Sequence, residues 1–264
     1  MTLAARIDGI GLLGPGLVNW TAARAVLAGE APYAPQPTLL PAPESLPATE
    51  RRRAGVCVKL ALAAGLEAAE RAGREPRECA AIFASSSGDG ENCHAICAAL
   101  ASDDRAISPT RFHNSVHNAP AGYWGIATGA MTPADCIAAF DGSFAAGLLE
   151  ALARLAAEPE RAVLLIAYDA PYPEPLNGAR PLPDAFGMAL ALSAVHGAAP
   201  GPRIAVDFTH AAPSRIPDHA LERLRRAIPA ARALPLLVAL ARGESARPVL
   251  EYLDDLALQV ELRA

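Results

Sequence analysis

The sequence predicts a layered α/β fold, and three observations lead there. Short apolar runs of strand length, such as residues 80–85 and 162–168, alternate with segments of helical spacing. Hydrophobic residues make up 52% of the 264 positions, enough to bury a sizeable core. Much of that fraction is alanine, which allows helices to pack closely. Strands alternating with helices argue for a largely parallel sheet.

Taken in order, residues 3–13 read as a strand closing on the Gly-Pro-Gly turn at 14–16. Residues 21–27 form a short helix. Residues 31–48 are dense in proline and hold no period, so they are read as a loop. Residues 50–74 return to helical spacing, with Val56, Leu60, Ala63, Ala64 and Leu66 on the apolar side. A buried-type strand at 80–85 runs into Ser85-Ser86-Ser87-Gly88, and 93–100 and 119–130 are helical. A strand at 134–140 leads straight into a helix at 143–157, followed by strands at 162–168 and 188–195. Beyond 199 come a strand at 203–208, a helix at 218–228 and apolar runs at 234–240 and 249–262.

The formal net charge of −5 gives no electrostatic case for nucleic acid. The first residues are too short in apolar run, and too soon broken by charge, to form a secretory signal. No stretch of eighteen uncharged apolar residues would span a membrane. Cys57, Cys79, Cys93, Cys97 and Cys136 are scattered and odd in number, which fits free thiols in a cytoplasmic protein.

The strand-to-helix junction at 134–147 is where chemistry is expected, because a helix N-terminus lowers a thiol's pKa and offers N–H donors. Asp141 stands at that junction. A carboxylate there suits a helix N-cap, or it is held by an arginine; it cannot carry out the thioester exchange of a thiolate. Cys136 lies mid-strand, where no helix terminus activates it, and reads as an inert thiol. Cys93 and Cys97 share a helical face, but a zinc site needs further ligands that His113 and His117 are not placed to give, so no metal is expected. Ser143 lacks the Gly-x-Ser-x-Gly spacing of a nucleophile elbow. The serine-rich loop at 85–90 lacks the Gly-Lys-Ser/Thr of a phosphate loop and reads as a tight turn.

Several segments, in order, resemble the β-ketoacyl synthases of the thiolase-like superfamily. These are Leu46-Pro47 with Glu50-Arg51-Arg52, and Ile82 to Asp89 with its serine loop. Then come Ile107-Ser108-Pro109 through Asn118 with Ala121-Gly122, Gly129 and Pro133, residues 163–169 ending in Asp169, and residues 184–192. The resemblance covers about residues 1–195. It implies a thiolase-like layered fold (α-β-α-β-α type) with a complete N-terminal half and a truncated second half. Residues 1–198 would be a ketosynthase N-terminal-like domain, and 199–264 a shortened C-terminal half on the same core.

The departures carry as much as the matches. The family's nucleophilic Cys falls on Asp141, so no catalytic residue is expected. Its His-Gly-Thr-Gly-Thr, Gly-His and Gly-Phe-Gly-Gly motifs are missing, and His196, His210 and His219 lie in other contexts. This pattern resembles chain-length factors, ketosynthase paralogues without the active Cys, and in its shortness the small subunit of aryl-polyene biosynthesis. The resemblance implies a non-catalytic subunit of a heterodimeric β-ketoacyl synthase in polyketide or fatty-acid-type chain elongation. Its partners would be a Cys-bearing ketosynthase and, through the complex, an acyl carrier protein; no cofactor is implied. Thr110, Arg111, Phe112, His113, Asn118, Cys136 and Phe140 are the candidates for the acyl tunnel and the interface. Two other readings stay open: a stand-alone thioesterase or decarboxylase, and a homodimeric acyl-binding scaffold.

Overall fold

The computed structural model describes residues 3–195 and 200–264; His196 lies outside them. In chain order the elements are β1 (Leu3–Leu13), α1 (Trp20–Ala28), α2 (Ala48–Arg53), α3 (Val56–Arg71), β2 (Ala80–Ala84), α4 (Gly90–Leu100), α5 (Pro109–Asn114), α6 (Ala119–Thr128) and β3 (Ala134–Ile137). There follow α7 (Ser143–Ala157), β4 (Val163–Asp169), α8 (Leu176–Ala179), β5 (Phe186–Ser193), β6 (Arg203–Thr209), α9 (His219–Ala227), α10 (Leu234–Arg242), β7 (Val249–Glu251) and β8 (Ala257–Arg263).

The strands form a single eight-stranded sheet in the order β3-β2-β4-β5-β1-β6-β8-β7. The sheet is mixed, which corrects the expectation of a largely parallel one. Only β2 runs parallel to its neighbours β3 and β4. The β1–β5, β4–β5, β1–β6, β6–β8 and β7–β8 pairs are antiparallel. Parallel neighbours need a long crossover, usually a full helix. Between β4 and β5 the chain has only the short α8, so it turns back beside the strand it has just left.

Strand alternation buries both faces. Val163, Leu165 and Ala167 of β4 join Leu148 and Leu152 of α7 in one core. Leu164, Ile166 and Tyr168 join Leu60, Ala64 and Ala68 of α3, with Trp124 of α6, in the other. A strand covered on both sides reads as a continuous apolar run, as this one does. Ile204 and Val206 from β6, Leu258, Val260 and Leu262 from β8, and Leu234, Leu236 and Leu237 from α10, lie in the same core as α7. Residues beyond 200 thus extend the sheet past β1 and share its core. Of the layers that the thiolase-like pattern implies, the described residues stack helix, sheet and helix.

Small residues decide how near the layers come. A Cβ on Gly11 would lie 1.9 Å from the Ala64 carbonyl oxygen, so α3 rests directly on the β1 backbone. The helix expected over 50–74 is split in two, because the chain turns at Ala54–Gly55 between α2 and α3. There a Cβ on Gly55 would come within 2.5 Å of Asp89 Oδ2, the side chain that caps α4. The apolar run at 249–262 divides likewise into the β7–β8 hairpin. Among the described residues no helix is long and apolar enough to cross a membrane.

Candidate functional site

The candidate site forms where β2, β3 and β4 end on the same side of the sheet. Asp169, the last residue of β4, is almost fully buried and ties three segments together. Its Oδ1 accepts from the Ser86 N–H at 2.8 Å and from the Ser86 and Ser85 hydroxyls at 2.7 and 3.3 Å. Its Oδ2 accepts from the Ala230 N–H at 2.8 Å. Burial pushes the Asp169 carboxyl above the usual carboxylate range, and these bonds work against that rise. Ser85 Oγ also accepts from the Gly88 N–H at 3.1 Å. Gly88 has φ +68°, so the serine-rich segment is a tight turn, as expected.

β3 stops at Ile137, three residues short of the expected end. The chain then makes a 3-10 turn over Phe140–Gly142 and enters α7. Ser143 Oγ fastens that turn, accepting from the Ala139 N–H at 3.0 Å and donating to the Phe140 carbonyl at 2.7 Å. Phe140 adopts φ +50°, a conformation uncommon for a bulky residue, and its side chain is 63% exposed.

Asp141 does not cap α7. The N-cap position is Gly142, with no side-chain cap bond. The carboxylate instead lies between two guanidinium groups. Arg180 donates to Oδ1 at 2.7 Å and Arg232 to Oδ2 at 2.9 Å. Two charge-assisted bonds hold a carboxylate more firmly than helix N–H groups alone, which is why the arginine alternative prevails over capping. Each arginine has a second support. The Arg180 guanidinium lies over the Phe140 ring, 3.7 Å from its centroid. Arg232 meets Glu251, which accepts from Arg225 at 3.1 Å. Arg225 is nearly fully buried and pairs with Glu222 at 2.8 Å, holding that carboxyl down at about 2. Charges of alternating sign therefore run from the Asp141 turn through β7 to α9.

Backbone packing closes the inner side of the turn. A Cβ on Gly142 would lie 2.0 Å from the Tyr252 carbonyl oxygen, so the residue just after β7 sits against the peptide next to Asp141. What this arrangement can do is bind and hold. Beside it the Ser143 hydroxyl is engaged in fastening the turn.

The other sequence candidates fall in two places. Thr110, Arg111, Phe112 and His113 lie on α5, with Arg111, Phe112 and His113 exposed and Thr110 half-buried. The His113 ring stands edge-on to Tyr123, centroids 6.3 Å apart. Asn118 is exposed at the N-cap of α6 but makes no side-chain cap bond. Cys136 is half-buried on β3, and desolvation, with Asp135 beside it, pushes its thiol up to about 11. Phe140 is the one candidate that joins the Asp141 cluster; among the described residues no hydrogen bond, ion pair or ring contact links α5 to the turn. Cys93 and Cys97 are exposed free thiols. His117 Nε2 lies 3.1 Å from the Ser85 carbonyl and His210 Nδ1 2.6 Å from that of Asp255, both away from Asp141.

Arg180, Arg232 and Tyr252 were beyond the reach of the sequence. From the sequence an arginine was only the alternative to a helix N-cap, and nothing local selects two arginines 39 and 91 positions away. The usable signal was Gly142, a glycine entering a helix where a backbone must approach.

Comparison with known proteins gives the following. The family described as "Beta-ketoacyl synthase, N-terminal domain" matches residues 20–249. No curated protein sequence matches. Among solved structures, a chain of the ketosynthase ApeO in complex with its chain length factor ApeC from Xenorhabdus doucetiae is 24% identical, with a TM-score of 0.74; the match covers 98% of this chain and 99% of that one. The ishigamide ketosynthase/chain length factor gives 15% identity and a TM-score of 0.71, over 98% and 99%. A β-ketoacyl synthase from Burkholderia phymatum gives 15% and 0.58, over 86% of this chain and 70% of that one. At these identities the likeness establishes the fold, a thiolase-like one.

Proposed function

Because the chain belongs to the β-ketoacyl synthase N-terminal domain family, we propose that it is a non-catalytic, chain-length-factor-like subunit of a heterodimeric ketosynthase. The observation that carries this reading is the state of the nucleophile turn. Where the family has a cysteine, this chain has a carboxylate clamped by Arg180 and Arg232 and backed by the Tyr252 backbone. A partner ketosynthase would supply the cysteine and the histidines and carry out decarboxylative condensation on thioesters of an acyl carrier protein. This chain would complete the dimer and end the acyl tunnel, whose length limits how many extensions fit.

The surface supports the pairing. β3 is an edge strand with one side unpaired. Ile126 on the adjoining α6, and Met131 and Phe140 three residues to either side of the strand, are exposed, Met131 by 96%. A free edge beside exposed apolar side chains is a surface that proteins cover. Thr110 to His113 on α5 would face the tunnel, with Cys136 and Phe140 at the interface. Residues 1–198 and 199–264 are taken as parts of one folding unit, working beside the carrier protein in the cytoplasm. Aryl-polyene assembly is the specific pathway favoured.

Native mass spectrometry of the chain co-expressed with a Cys-bearing ketosynthase from the same source tests the proposal. The expected result is a one-to-one complex that condenses, with neither subunit active alone. A well-behaved homodimer that ignores the ketosynthase would overturn it.

A further inference from the structure

We infer that Arg180 and Arg232 form a carboxylate receptor in which Asp141 is the resident ligand. This holds whether or not the chain pairs with a ketosynthase. In an ordinary salt bridge the two side chains order each other. Here each arginine is ordered by a group other than Asp141. Arg180 lies over the Phe140 ring, 3.7 Å from its centroid, with the Tyr172 ring at 5.9 Å. Arg232 is fixed by Glu251, which is itself held by the buried Arg225. The two guanidiniums therefore keep their positions when the carboxylate is taken away. They take one oxygen each, at 2.7 and 2.9 Å, the geometry that selects a planar, two-oxygen anion.

The receptor is reachable. The Asp141 side chain is 39% exposed and that of Arg180 24%, so a small solute has an approach from solvent. The Gly142 peptide behind the carboxylate is fixed by Tyr252 and does not collapse into the space left by a shortened side chain. The ligand class is a small monocarboxylate, and its size follows from what is removed. Asp141→Ala leaves room for the carboxylate carbon alone, which formate fills. Asp141→Gly also removes Cβ, which acetate replaces with its methyl group.

The test is thermal unfolding of both variants in formate, acetate and, at equal ionic strength, chloride. Both are expected to melt below the parent. Each should regain about 2 °C or more, saturably, with formate favoured by the Ala variant and acetate by the Gly variant. Acetamide, of the same shape without the charge, should restore nothing. Asp141→Asn, which fills the space, should not respond, and adding Arg180→Gln to either short variant should abolish the response. If a short variant fails to fold unaided, its refolding yield against carboxylate concentration reads the same equilibrium. A response equal to that in chloride, or equally large in Asp141→Asn, would overturn the inference.

Discussion

Asp141 and Arg232 bond at 2.9 Å across 91 positions of chain, joining the turn ahead of α7 to the 3-10 segment ahead of α10. Arg232 continues to Glu251 on β7, so one guanidinium connects the junction at the end of β3 with the last hairpin.

Asp141→Cys should restore the family's residue type without restoring its chemistry. The purified variant is expected to give no ketoacyl product, since the histidine motifs are missing. It should also lose about 1 kcal/mol of stability, because both arginines lose an acceptor that is partly screened by solvent. Product from the isolated variant in a radiolabelled condensation assay would contradict this.

Gly142→Ala should act on the last hairpin. The new methyl group would lie 2.0 Å from the Tyr252 carbonyl oxygen, against backbone that cannot step aside. A destabilisation of about 1–3 kcal/mol is expected, with faster proteolysis in the segment between β7 and β8. Unchanged melting and an unchanged cleavage pattern would mean that the two segments are not in contact.

Acid should weaken the Glu222–Arg225 link on α9 in a defined window. The Arg225 bonds hold the Glu222 carboxyl at about 2 in the folded protein, against 4.5 when unfolded. A depressed pKa stabilises fully above the unfolded value and loses its effect as pH falls toward the folded one. The melting difference between the parent and Glu222→Gln should thus be constant above about pH 5 and shrink as pH is lowered from 4.5 toward 2. A difference that grew on acidification would show that another group controls this link.

On α5, Phe112→Ala and Arg111→Ala should each change the product lengths of the assembled complex while leaving the melting of the isolated chain within about 0.5 kcal/mol, since both side chains are exposed. Mass spectra of the products decide it, and an unaltered length distribution would remove α5 from the tunnel.

Much of the fold was legible because both cores press directly on the sequence. Helix α7 was readable to the residue, and β4 and β6 to within one, since continuous apolar runs and an amphipathic period leave little choice. Strand direction was not legible: what sets it is the length of each crossover, and the short α8 leaves no mark in periodicity. The end of β3 was misread for a related reason. Ala138, Ala139 and Phe140 suit a strand, and only the turn fastened by Ser143 bends them out of it. At the site, the carboxylate at the strand-to-helix junction could be read from one letter, Asp141. The replacement clamp could not, because it is assembled from arginines that meet only in the folded chain.

The close approach of Tyr252 to Gly142 also bears on how this chain can change over evolutionary time. A descendant that gained a thiol at position 141 would still have Arg232 on Glu251, Arg180 over Phe140 and the Tyr252 backbone pressed against the neighbouring peptide. Opening the turn would draw on three separated stretches, around 141, 180 and 232–252.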